Sequence, residues 1–387
     1  MTGGSIYSNG IERMVSSYES RRKIRLCHVV RHAKIAGTEK HVHLLATGID
    51  QSRFEVHVCT FEHGELVRRL QDKGIGVTVI PKSHSVIHFI RLVRFFFTKR
   101  YDLVHCHSGG YACVAARMAG IARVLYTKHG IGFTSEELQN RSPSRKMRDR
   151  IVDLCVARYI TLTRYDKDVM IDMLGIARGR IVVIHNGIDP DFGLTANPVR
   201  ARAQMLVGTV GRLTRQKGIE FLIQAMPMII ERYRNAKLLI AGSGEEDSRL
   251  KDLVKQLGLE KKVEFLGYVD NPAAVIKSIN VFVLPPLWEG FPYVLLEAMI
   301  LKRPIVATDI FGVNEIIKQQ ISGILVQPRD PDNMAKAVVS LMSNSLMSRK
   351  MGEAAYRQVL SDFTLNKSIS KTVKLYDSLF VATTKSQ

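Results

Sequence analysis

The chain has 387 residues, 46% of them apolar and 24% charged, with a formal charge of +20. That length exceeds one ordinary core and suits two domains of roughly 150 to 200 residues, and no apolar run reaches the ~18 to 20 residues of a membrane-spanning helix. A basic excess attracts phosphate, nucleic acid or an anionic membrane; nucleic acid is set aside, because no zinc-finger spacing, RNA-recognition aromatic motif or basic zipper is found.

The excess is heavier over residues 1–190 (30 Lys and Arg against 17 Asp and Glu) than over the remainder (26 against 19). Residues 1–23 are polar and lack the apolar core of a signal peptide, so they read as a flexible leader on a cytoplasmic protein. Short apolar runs then alternate with helical patterns. Strands are predicted at 24–30, 54–60, 76–80, 102–107, 123–127, 159–163 and 181–185. A second series is predicted at 205–211, 236–242, 262–267, 281–286, 303–309 and 323–328. Strands this apolar are buried on both faces, which means parallel sheets covered by helices. The fold class is therefore α/β, with two doubly wound, Rossmann-like domains facing a cleft.

The boundary falls in "NGIDPDFGLTANPVRAR" (186–202), rich in Gly, Pro, Asn and Asp. The expected domains are 24–190 and 205–365, joined by a linker over 191–204. A C-terminal helix over 366–387 is able to pack back on the first domain. Five cysteines, an odd number at irregular spacing, argue for reduced thiols.

In the first domain, "SVIHFIRLVRFFFTKRY" (85–101) places His88, Arg91 and Arg94 on one narrow polar stripe of an otherwise apolar helix. A helix wedged against the sheet would explain it, as would a helix resting on an anionic bilayer; the second is preferred. "RSPSRKMRDR" (141–150) supports it with five basic residues, although that segment could equally meet an acceptor phosphate. "HCH" (105–107) suggests a metal, but no fourth ligand stands at zinc spacing, so a strand end with His107 near the cleft is expected. Asp189-Pro190-Asp191 and Asp330-Pro331-Asp332 read as turns. "GSG" (242–244) is too common to carry weight.

In "VGTVGRLTRQKGIEFLIQAM" (207–226) a strand ends in Gly211, Arg212 follows, and Lys217 lies where a helix is expected to begin. Strand-end glycine lets backbone approach a ligand. A helix N-terminus and two cations beside it make a diphosphate clamp. In "LWEGFPYVLLE" (287–297) a buried strand is followed by a Gly-Phe-Pro turn, with Pro292 at the first helical position. Amides around Gly290 and Phe291 then point at an anion. Glu297, a turn and a half along the helix, can accept from two neighbouring hydroxyls. From the residues alone, Glu289 could equally be a helix-end charge and Glu297 part of a solvated face.

"GRLTRQKG" followed by "EGFPYVLLEA" resembles the retaining glycosyltransferases of family 4, which have the GT-B fold and carry a Glu-x7-Glu element with this core. "AGTEKHVHLLATGI" (36–49), "YTKHG" (126–130), "VIHNGID" (183–189), "IAGSGEE" (240–246) and "FLGYV" (265–269) resemble further family segments, in order, over nearly the whole chain. The resemblance implies that Arg212 and Lys217 neutralise the nucleotide diphosphate and that Glu297 holds the ribose. Glu289 and the backbone of Gly290, Phe291 and Pro292 would bind the transferred sugar. Backbone at Tyr268 and Val269 would meet the base. Gly37 and Thr38 would approach the diphosphate from the other domain, and His129 would contact the sugar. The usual glycine pair of the first turn reads Ala36-Gly37 here, which puts the loop shape at issue because alanine avoids positive φ.

Together these imply a retaining transferase moving a sugar from a nucleotide-sugar donor to a hydroxyl of a lipid-linked or cell-surface glycan. The acceptor would be of lipopolysaccharide, O-antigen, capsule or exopolysaccharide type. The expected partners are donor, acceptor and the inner face of an anionic membrane, with no metal or other cofactor. The family's leaving phosphate is thought to take the acceptor's proton, consistent with the lack of an obvious nucleophile. The rival readings are a nucleotide-sugar epimerase on the same scaffold and a non-catalytic nucleotide-sugar- or glycan-binding protein.

Overall fold

The computed structural model describes residues 22–130, 142–199 and 205–381. Most of the expected leader, the last five linker positions, Arg141 and the final six residues lie outside the described residues. The first domain runs β1 (Ile24–Val30), α1 (Gly37–Gly48), β2 (Phe54–Thr60), α2 (Glu65–Gln71), β3 (Gly76–Val79), α3 (Ser85–Lys99) and β4 (Leu103–Cys106). It continues with α4 (Tyr111–Met118), β5 (Val124–Lys128), α5 (Pro143–Cys155), β6 (Arg158–Thr161), α6 (Arg164–Asp172) and β7 (Ile181–Val183). The second runs β8 (Leu206–Val210), α7 (Ile219–Arg232), β9 (Lys237–Ala241), α8 (Asp247–Gln256), β10 (Val263–Gly267), α9 (Pro272–Ser278) and β11 (Val281–Leu284). After these come α10 (Tyr293–Ile300), β12 (Ile305–Thr308), β13 (Ile324–Val326), α11 (Pro331–Ser343), α12 (Ser345–Asp362) and α13 (Leu365–Val381).

All thirteen apolar runs are strands, one to three residues shorter at an end in most cases. Seven form a sheet in the order β3-β2-β1-β4-β5-β6-β7 and six a sheet in the order β10-β9-β8-β11-β12-β13, and every pair is parallel. Parallel strands leave no face for water, so helices cover both sides of each sheet. One core of the first sheet holds Val29, Leu92, Phe96 and Val104, and the other holds Leu26, Phe54, Leu66 and Leu103.

The chain crosses between domains twice, and the two crossings are laced together. Ile188 donates its N–H to Phe363 and accepts from Leu365 (2.9 and 2.8 Å). A Cβ on Gly187 would stand 2.4 Å from the Thr364 carbonyl, so only glycine permits this approach. Beyond the second crossing, α13 returns to the first domain, where Tyr376 is fully buried and its hydroxyl meets His105 Nδ1 at 2.6 Å. A second tie lies at α6, whose Arg164 and Tyr165 amides donate to the Glu315 carboxylate (2.9 and 3.0 Å). That carboxylate occupies the positive end of the helix.

Two expected details change. His88 is not on the exposed stripe of α3: it is buried against Phe61 and Tyr111, because it shares its helix face with Leu92, Phe95 and Phe96. The outward face instead carries Val86, Ile90, Arg91, Arg94 and Phe97. The GSG loop also has a structural role, since a Cβ on Gly242 would stand 1.8 Å from the Gly211 carbonyl and one on Gly244 2.2 Å from that of Leu213. Asp330 caps α11 by accepting the Asn333 amide at 2.9 Å.

Candidate active site

Chain order reverses between β1 and β4 in one sheet and between β8 and β11 in the other. Beyond the carboxyl ends of strands at such a reversal, two loops diverge and leave a crevice, the usual ligand position in open α/β sheets. β8 leads into Gly211 and Arg212, β11 into the loop before α10, and β4 into His107.

On the second domain's wall, the two motif loops are joined. The Leu287 amide donates to the Gln216 carbonyl (2.8 Å), and Gln216 Nε2 donates to the Trp288 carbonyl (3.0 Å). Lys217 Nζ contacts Glu289 in a largely shielded ion pair. A Cβ on Gly218, which has φ +58°, would stand 2.1 Å from the Pro285 carbonyl, so glycine is required where the loops touch. Lys217 lies in a 3₁₀ turn, and α7 starts two residues later at Ile219, because Gly218 interrupts the helical path with its left-handed conformation. Pro292 sits one residue before α10, as its N-cap, because its ψ of 120° is extended.

On the first domain's wall, Ala36 is extended at φ −136°, which removes the objection to alanine there. Gly37 begins α1 and a Cβ on it would meet nothing within 4 Å, so this helix end opens onto free space. Glu39 is buried in the first turn. Burial pushes its carboxyl up, and backbone amides at Glu39 and Ala36 and the charge of Arg212 across the cleft draw it back.

The walls meet at named contacts. Lys40 of α1 pairs with Glu297 of α10, whose carboxylate is buried and not on a solvated face. His41 Nδ1 lies 3.0 Å from Asn186 Oδ1 and 3.2 Å from the Tyr293 hydroxyl, and Asn186 Nδ2 donates to the Phe291 carbonyl at 2.8 Å. A Cβ on Gly290 would approach the His129 carbonyl to 2.8 Å. On the rim, the exposed Tyr268 reaches Glu65 of α2 at 3.3 Å, with Val269 half-buried beside it.

Behind His129 lies a row of histidines. His28 Nδ1 and His107 Nε2 are 3.0 Å apart, and His107 Nδ1 and His129 Nε2 3.2 Å. Burial pushes His28 down to about 3 and His41 to about 4, and holds His105, His107 and His129 well below the ordinary histidine value. Neighbouring histidine charges add to the depression in every case but His41. Neutral imidazoles are thus the stable form at neutral pH.

The residues singled out from sequence therefore converge. Arg212, Lys217, Glu289, Gly290 and Phe291 line one wall, Gly37, Thr38 and His129 the other, and Glu297 lies behind. Three partners were missed. Lys40 could have been noticed as the one cation of the first helical turn in "AGTEK". His41 and Asn186 had no such signal, because their partners are 252 and 105 residues away. Positive charge from Arg212, Lys217 and the start of α10 can stabilise a departing diphosphate, and Glu297 can accept from vicinal hydroxyls once Lys40 moves aside.

Two family models match: Glycosyltransferase Family 4 over residues 35–192 and Glycosyl transferases group 1 over residues 198–358. An uncharacterised glycosyltransferase of Methanocaldococcus jannaschii is 32% identical in an alignment that covers 88% of this chain and 94% of that one. The UDP-Gal:alpha-D-GlcNAc-diphosphoundecaprenol alpha-1,3-galactosyltransferase of Escherichia coli is 27% identical over 93% of this chain and 98% of its own. Among solved structures, Anabaena HepE in complex with UDP-glucose superposes with a TM-score of 0.78 at 20% identity. It covers 92% of this chain and 100% of its own, a likeness of fold.

Proposed function

The chain belongs to the group 1, family 4 glycosyltransferases, with two Rossmann-like domains of GT-B type, and from that premise we propose a retaining enzyme that transfers a sugar from a nucleoside-diphosphate donor to a lipid-linked glycan hydroxyl. The observation that carries this reading is the meeting of Lys217, Arg212 and the start of α10 at one strand-order reversal, opposite His129. Retention is supported by the family. The relative from Escherichia coli, which takes a diphosphoundecaprenol-linked sugar, supports a lipid-linked acceptor. No metal or other cofactor enters this reading, because the diphosphate's charge is met by Arg212, Lys217 and the helix dipole. Glu289 and the backbone at Gly290 and Phe291 orient the sugar, and the departing phosphate takes the acceptor's proton.

The experiment is a panel of nucleotide sugars screened by thermal shift, since bound donor raises stability by mass action. The best donor is then incubated with a polyprenyl-diphosphate-linked sugar, and the anomeric configuration of the product is read by NMR. An epimerase would change the sugar with donor alone, and a binding protein would release no nucleoside diphosphate. Product of inverted configuration would overturn the retaining mechanism.

We read the enzyme as cytoplasmic and peripheral on the membrane. No helix among the described residues is long and apolar enough to cross one. Helix α5 exposes Met147, Ile151 and Leu154 at helical spacing, with Leu154 79% exposed, between Lys146, Arg148 and Arg150. Helix α4 packs between it and α3, whose outer face carries Ile90 and Phe97 with Arg91 and Arg94. Apolar side chains flanked by cations fit an anionic bilayer surface. Replacing Leu154 by Glu should weaken sedimentation with phosphatidylglycerol vesicles about tenfold or more, the worth of one buried leucine. Unchanged sedimentation would remove α5 from the surface.

A further inference from the structure

Five histidines from four places in the chain converge where the domains meet, and the transfer reaction as proposed uses only His129. Nitrogens of His41, His107 and His129 lie within 4.8 Å of one another. Strand β1 supplies His28, the position just past β4 supplies His107, α1 supplies His41 and the residue after β5 supplies His129, so no sequence spacing announces the group.

The hydrogen bonds around these rings fix which nitrogens are available. Asn186 uses its Nδ2 to donate to the Phe291 carbonyl, so it turns Oδ1 toward His41, and His41 Nδ1 must carry the proton. That leaves Nε2 of His41 with its lone pair. His107 engages His28 through Nε2 at 3.0 Å and turns Nδ1 toward His129 Nε2. Two of the three rings are thus held from behind by an outer hydrogen bond, the arrangement that orients histidine ligands of metals. Tetrahedral zinc with N ligands at ~2.0 to 2.1 Å needs nitrogens roughly 3.4 Å apart. One pair already stands at 3.2 Å, and each of the three rings brings a nitrogen within 4.8 Å of the others, so closing the site needs shifts of at most about 1.4 Å. The neighbouring group of His28, His105 and His107 is less apt, because both nitrogens of His105 are taken, by Tyr376 and Thr127 at 2.6 Å each.

We propose that His41, His107 and His129 form a three-imidazole site for a borderline divalent cation of the zinc type. With the His107 proton on Nε2 toward His28, His129 donates its Nε2–H to His107 Nδ1; a bound ion displaces that hydrogen bond, the His129 proton moves to Nδ1, and both freed lone pairs ligate with no net proton release. The ion therefore inhibits transfer by withdrawing His129 from the sugar. This consequence rests on the donor-site reading; the binding site itself does not.

The test is Co²⁺ added to the metal-free full chain, followed by its visible d–d absorption, with Zn²⁺ as competitor. A single equivalent should develop the band, and Zn²⁺ should bleach it. His107→Asn and His41→Gln should abolish the band, His28→Asn should weaken binding by about 10- to 100-fold as an outer-shell change, and exposed His32→Gln should leave it intact. If the buried variants misfold, His129→Asn at the cleft edge decides alone. Absence of the band in folded wild type, or its survival in folded His107→Asn, His41→Gln or His129→Asn, overturns the site. Transfer that proceeds normally without any metal binding would sink the site and leave the glycosyltransferase reading untouched. A band in a chain inactive with every donor would do the opposite.

Discussion

Arg212→Ala should lower kcat by about 10²- to 10³-fold, the usual cost of removing one preorganised partner of a developing negative charge. The side chain is exposed, and its charge reaches Glu39 of the opposite wall. Exposed changes of this kind typically alter stability by less than about 0.5 kcal/mol, so the melting temperature should hardly move. Lys217→Ala should cost as much in turnover but should also destabilise, because Glu289 loses the cation that it pairs with away from water. The double replacement Lys217→Ala with Glu289→Gln should recover stability without activity. These outcomes are read from steady-state kinetics beside a thermal melt. Near-normal turnover in folded Arg212→Ala or Lys217→Ala would remove the diphosphate clamp.

The second large effect is acid lability. A histidine with a depressed folded pKa binds fewer protons folded than unfolded, so stability is full above the unfolded value of about 6.5 and falls as pH drops toward the folded value. For His28 that window runs from 6.5 down to about 3, and for His41 down to about 4. His105, His107 and His129 shift in the same direction. Each such group removes up to ~1.4 kcal/mol per pH unit. Several together approach the 5–15 kcal/mol of a typical domain by about pH 5. Melting temperatures should be flat from pH 8 to 7 and fall steeply from 6.5 to 5, with several protons taken up on unfolding. A slope no steeper than one proton across that range would mean that the row of histidines is not neutral and buried together.

The strands were legible because a sheet buried on both faces leaves only apolar, β-branched runs, and each of the thirteen was such a run. Their ends were overread by a residue or more: Pro285 and Pro286 follow β11, and His107 follows β4, where the chain has already left the ladder. The motif loops were legible because glycine, proline and charge concentrate where backbone turns toward a ligand. What could not be read was contact between distant segments. From the residues alone Glu297 could equally bind hydroxyls or sit on a solvated face; its burial against Lys40, 257 residues earlier, is visible only in the fold. His88 was assigned to the polar stripe by residue type, yet its ring lies between Phe61 and Tyr111. Of the histidine row only His105 and His107 stand together in the sequence, as HCH; His28, His41 and His129 join them from other strands and helices.

The central claim, that the crevice between the two strand-order reversals is a nucleotide-sugar site, is tested most directly by a crystal structure with the best donor bound. Diphosphate oxygens should lie within hydrogen-bond reach of Arg212 and Lys217, both ribose hydroxyls on Glu297, and Lys40 should be displaced from that carboxylate. A donor bound elsewhere, with the Lys40–Glu297 pair intact, would contradict it.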